Sequence, residues 1–110
     1  PEFFTTQLLS IPGPDGGPGG IGKLPEYTEA YRELFVSLSR ETGMYIVAGT
    51  HVLEREGALY NTAHLFMPDG TVFEQPKLHI TPTEVTEWNV RGGGAFDVVD
   101  TPKGRIAVLT

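Results

Sequence analysis

The sequence predicts an α/β domain. Three observations carry that reading: one amphipathic helix between residues 25 and 42, a nearly continuous apolar run directly after it, and two strand pairs closed by Pro-Asp-Gly and Pro-Lys-Gly turns. One helix among five strands, with a buried strand beside it, calls for helix packed on sheet. The 110 residues are 39% hydrophobic and 20% charged, ordinary values for a single small domain.

Taken in order, Ser10–Pro25 is dense in glycine and proline and reads as a loop, with its glycine-rich part at residues 13–22. Residues 25–42 follow as the helix. Tyr27, Ala30, Tyr31, Leu34, Phe35 and Leu38 form one apolar stripe at helical spacing. Pro25 suits a first helical turn, where its missing N–H would have no partner. Glu26 and Glu29 complement the positive end of the helix dipole. Gly43 is placed for a left-handed stop.

Met44–Thr50 is apolar almost throughout, as in a strand covered on both faces. Leu59–Met67 and Thr71–Gln75 pair around Pro68-Asp69-Gly70, where proline presets φ and glycine supplies a positive one. Ala95–Thr101 and Arg105–Thr110 form a second pair around Pro102-Lys103-Gly104. Between the two pairs, Lys77 ends a strand. Pro82 is expected to keep the following residues out of a helix, so that a loop leaves the sheet there.

Composition removes several classes of function. The net charge is −6 and no Lys/Arg cluster breaks it, so no nucleic-acid partner is expected. No apolar run approaches the ~20 residues of a membrane-spanning helix, so no membrane partner is expected. Without cysteine there is neither a disulfide framework nor a thiolate zinc site. His51, His64 and His79 lack ligand spacing, and no metal or cofactor is expected. His51 and His64 read as structural strand residues, and His79 as a support near Lys77. Residues 17–22 match G-x-G-x-x-G and residues 17–23 match G-x-x-x-x-G-K, but neither follows a strand, and Leu24 stands where a magnesium-holding hydroxyl would be. Ser10, Ser37 and Ser39 lie outside any G-x-S-x-G turn.

Lys77 remains, with Glu84 seven positions on. Loops at strand ends collect catalytic groups, and an ammonium held beside carboxylates can stabilise an oxyanion. The competing reading is an exposed ion pair on a loop.

Four patches in order decide between them: Pro1-Glu2-Phe3-Phe4; Tyr60-Asn61-Thr62-Ala63 with its Pro68-Asp69-Gly70 turn; Gln75-Pro76-Lys77-Leu78-His79; and Phe96 to Thr110. Together they resemble the nitrilase (carbon–nitrogen hydrolase) superfamily. The resemblance implies part of a four-layer α-β-β-α sandwich, in proteins that form homo-oligomers when complete. It implies Glu2 as general base, Lys77 as the oxyanion-stabilising ammonium, and Glu84 as a second glutamate positioning lysine and substrate, with Glu87 as the alternative for that role. Trp88 is read as a pocket wall or as core. The family's nucleophilic cysteine is expected after Thr110, so residues 1–110 are read as one incomplete domain, inactive alone. The implied reaction is hydrolysis of a small linear amide to acid and ammonia, in the cytoplasm. The rival is a catalytically inactive relative acting as an interaction module.

Overall fold

The computed structural model describes residues 1–11 and 20–110. Two 3-10 helices, Phe4–Ser10 and Ile21–Tyr27, precede helix α1 (Thr28–Thr42). Strands β1 (Ile46–Arg55), β2 (Ala58–Phe66) and β3 (Val72–Pro76) form an antiparallel sheet in that order. A short helix α2 (Pro82–Thr86) follows, then a ribbon of β4 (Val99–Thr101) and β5 (Gly104–Ile106). The predicted helix-on-sheet α/β architecture is what folds, with antiparallel strands. Among the described residues no helix is long and apolar enough to cross a membrane.

Several boundaries differ from the sequence reading. The α-helix starts at Thr28, and Pro25 lies inside the preceding 3-10 helix, anchored by the fully buried Leu24. Residues 21–25 are therefore not loop, and Ser10 ends the first 3-10 helix; residues 12–19, including 17–19 of the phosphate-like patterns, fall outside the described residues. Gly43 does end α1, with φ 68°. The apolar stripe is wider than the sheet it meets. Tyr31 and Phe35 face the sheet, whereas Leu34 is 56% exposed.

β1 runs five residues past Thr50 because its pairing with β2 continues to a tight turn at Glu56 and Gly57, both with positive φ. Only Ala48–Leu53 are buried in succession; Met44 and Val47 are exposed. The β2–β3 turn is as predicted, with Gly70 N–H donating to Met67 O at 2.9 Å and Asp69 Oδ1 accepting from Thr71 N–H at 2.8 Å. The β4–β5 ribbon is shorter than predicted. At Ala95 and Asp97 the chain is fastened instead by the Gln75 side chain, which donates to Ala95 O and accepts from Asp97 N–H.

The clearest correction is at Pro82. It opens α2 instead of preventing a helix, since the first turn needs no N–H there. Thr81 caps it, in a reciprocal box with Glu84.

Side-chain alternation and strand register divide the sheet into two faces. His51, Thr62, His64, Phe66 and Glu74 point toward α1. Val52, Asn61, Ala63 and Gln75 point to the other face.

Candidate active site

Four elements bring one polar cluster to the face away from α1. The N-terminal segment reaches it by crossing the edge of β1. Thr50 N–H donates to Pro1 O at 3.0 Å, and Phe3 N–H donates to Thr50 Oγ1 at 2.6 Å. The strand register shifts here, and Gly49 has φ 74°. An added methyl at Gly49 would overlap the Pro1 carbonyl oxygen and meet Phe4 Cβ at 3.0 Å, so only glycine lets the segment lie this close. Phe3 itself is left-handed, with φ 51°, a conformation costing about 1–3 kcal/mol in a bulky residue. Its ring packs edge-on against Trp88 at 5.4 Å. This turn leaves Glu2 on the site face while Thr5 reaches His51 on the helix face.

Lys77 follows β3 directly. Its N–H donates to Asn61 O at 2.8 Å and its carbonyl accepts from Gly93 N–H at 2.9 Å, so backbone bonds on both sides hold it in place. Glu84 is in the first turn of α2, where the capping box orients it. The Lys77 ammonium donates to Glu2 Oε1 at 2.5 Å and to Glu84 Oε2 at 2.9 Å. Glu2 and Lys77, 75 positions apart, thus meet in one cluster. Lys77 is 8% exposed, Glu84 2% and Glu2 40%.

The two glutamates differ in how fully they are bonded. Glu84 Oε2 accepts from Lys77, from Thr81 N–H at 2.9 Å and from Thr81 Oγ1 at 2.8 Å, and its Oε1 accepts from Asn61 Nδ2 at 3.4 Å. Glu2 Oε1 accepts from Lys77 and from Asn61 Nδ2 at 2.9 Å, while Oε2 has no donor among the described residues. Burial pulls the Lys77 pKa down, but the hydrogen bonds and charges of Glu2 and Glu84 outweigh it and the net direction is up. Burial pushes Glu84 up, but the Thr81 backbone N–H, the Lys77 ammonium and the Thr81 hydroxyl outweigh it and the net direction is down. The arrangement therefore holds a permanent ammonium and an ionised, saturated carboxylate beside a second carboxylate with one open, solvent-accessible oxygen.

The structure thus brings together Glu2, Lys77 and Glu84. It leaves Glu87 outside: that residue is exposed at the end of α2. His79 is exposed and makes no hydrogen bond to the cluster among the described residues. Trp88 is half-buried against Phe3, behind Glu2. Sequence reasoning missed Thr81 and Gly49, and named Asn61 only as part of the Tyr60–Ala63 patch, without a role. A Thr-x-x-Glu spacing signals the cap at Thr81, and a glycine inside a strand signals a bulge or close backbone approach at Gly49.

A buried lysine thus bridges two glutamates on one face of the sheet. The chain matches the carbon–nitrogen hydrolase family over residues 1–110 and belongs to it. It is 43% identical over 108 residues to the probable hydrolase YhcX of Bacillus subtilis, covering 98% of this chain and 21% of that protein. To the omega-amidase NIT2-B of Xenopus laevis it is 30% identical, covering 93% of this chain and 41% of that one. In structure it is similar to Nit3 of Saccharomyces cerevisiae, a member of the nitrilase superfamily, with a TM-score of 0.66 and 19% identity over 84% of this chain and 37% of that chain. The fold is the nitrilase fold, and the chain spans between a fifth and two-fifths of the length of these relatives.

Proposed function

We propose that these residues form the Glu–Lys portion of an amidase-type site that hydrolyses small linear amides to acid and ammonia. The observation that carries the reading is the Lys77 ammonium between Glu2 and Glu84, at 2.5 and 2.9 Å. The similarity to an omega-amidase supports an amide over a nitrile substrate.

Residues 1–110 contain no cysteine, so the reading takes the nucleophilic thiol from outside them. Glu2 Oε2 accepts the thiol proton, and the thiolate attacks the amide carbon. The oxygen of the tetrahedral intermediate gains negative charge beside Lys77, whose raised pKa suits it to stabilise that charge and not to act as a base. The C–N bond breaks as nitrogen takes the proton from Glu2, and ammonia leaves a thioester. Glu2 then draws a proton from water, hydroxide adds to the thioester carbon, and the acid departs as the sulfur is reprotonated. Glu84, saturated by its donors, orients Lys77 and takes no proton.

Ammonia release from a panel of short linear amides and nitriles, measured on the full-length protein, tests the reading. Turnover of amides that is lost in Glu2→Gln is expected. A folded wild type with no amide turnover would overturn it, as would a Glu2→Gln variant with wild-type rates.

A further inference from the structure

We propose that Asn61 is the positioning residue that sets the two glutamates to different tasks, by tying one oxygen of each and leaving Glu2 Oε2 as the proton acceptor. This rests on the hydrolase reading above and adds to it a residue that contacts neither substrate nor nucleophile.

Asn61 lies at the centre of the cluster and is completely buried. Its carbonyl accepts the Lys77 N–H at 2.8 Å, and its side-chain Nδ2 donates to Glu2 Oε1 at 2.9 Å and to Glu84 Oε1 at 3.4 Å. One residue therefore meets all three: its main chain holds the Lys77 backbone, and its side chain joins both carboxylates. The orientation of the amide follows from chemistry: ionised carboxylates only accept, so the NH₂ must face them. Asn61 Oδ1 is then left buried, with no partner among the described residues.

That orphaned oxygen is informative. An unpaired buried carbonyl is unfavourable to the fold, and buried polar groups are ordinarily satisfied. Asparagine at this position serves the carboxylates at the expense of its own acceptor. Two carboxylates share one ammonium, which leaves the cluster with an excess negative charge. The Asn61 NH₂ lies between them and supplies the missing donors. It also resolves an ambiguity at Glu2. With Lys77 and Asn61 both on one oxygen, tilting the carboxylate plane loses a donor, so whichever oxygen is not held faces away from them. Without Asn61, Lys77 alone holds Glu2, and the carboxylate plane can swing about that one contact.

The test uses the full-length protein with a short linear amide as substrate. Asn61→Ala is expected to lower kcat by roughly tenfold to a hundredfold, the scale of a misplaced catalytic group. KM should stay within about twofold, because a buried residue without substrate contact does not alter uniform binding. Asn61→Ser, which keeps one donor, should recover part of the rate. A folded Asn61→Ala with wild-type kcat overturns the proposal while leaving the hydrolase reading intact. Absence of turnover in the wild type overturns both. Should Asn61→Ala fail to fold, the Asn61 side-chain NH₂ resonances decide: they should shift in both Glu2→Gln and Glu84→Gln, and a shift in neither overturns the link.

Discussion

The two faces of the sheet each hold a cluster of charge, and they are built on opposite plans. Toward α1, Glu74 is paired with Arg32 from the helix and Arg55 from β1, with His64 Nε2 at 3.4 Å. There one carboxylate has two cations, and both guanidinium groups are partly in water, 36% and 50% exposed. On the other face two carboxylates share one cation, with Lys77 and Glu84 almost fully buried. Exposed pairs contribute little and are screened by salt. A buried cluster with unequal charge persists only if hydrogen bonds hold every member. The Glu74 cluster lies at the rim of the helix face and tolerates change. The site face is a tightly constrained arrangement with one open oxygen, which is the condition for proton transfer.

Replacing Lys77 should show the contrast most strongly. Lys77→Met in the full-length protein leaves the buried Glu84 and the partly exposed Glu2 without their cation and should destabilise it by about 3–5 kcal/mol in urea denaturation. Amide turnover should fall by at least roughly a hundredfold with loss of the oxyanion partner. A stable, active Lys77→Met would make the two faces equivalent.

Acid should separate them next. Burial holds His51 and His64 neutral, each lowered to about 4, and for His64 the charges of His51, Arg32 and Arg55 add to burial. Glu74 lies close enough to favour the protonated ring, but its charge is already neutralised by two arginines. Unfolded histidine binds protons below about pH 6.5, so stability falls as pH drops from there to about 4. The loss is on the order of 3 kcal/mol per histidine. Over the same interval the site face keeps its contribution. Glu84, with a lowered pKa, stabilises above about pH 4.3 and Lys77, with a raised one, below about pH 10.4. Denaturation curves measured from pH 7 to 4.5 should show steady destabilisation. A flat series would place the histidines outside the acid response.

The smallest effect is expected at Arg55. Arg55→Ala leaves Glu74 its bond to Arg32, so stability should change by less than about 1 kcal/mol and amide turnover not at all. A large loss of turnover would show that the faces are coupled through the sheet.

How much of this was legible differs from residue to residue. The α1 stripe and the Pro-Asp-Gly turn were readable because each depends on a few neighbouring side chains. Lys77 and Glu84 stand out from their place after a strand, but Glu2 is named only through the ordered set of motifs, since no local property says that residues 2 and 77 meet. Thr81-Pro82-Thr83-Glu84 carries a capping-box signal that goes unread when Pro82 is taken as a helix breaker. At a first helical turn proline breaks nothing. Which edge of the α1 stripe would be covered was not legible at all, because that depends on the width of the sheet beneath it.

The order of elements, the turn chemistry and the identity of the charged groups follow from the amino-acid sequence alone, since they are set by interactions within a turn or two of the chain. The tertiary structure decided which glutamate is saturated and which keeps an open oxygen. It decided that a buried asparagine lies between them, and that a glycine in β1 lets the N-terminal segment cross the sheet edge. Those outcomes depend on burial and on hydrogen bonds between residues tens of positions apart, and such distances are set only when the strands pair and the face closes.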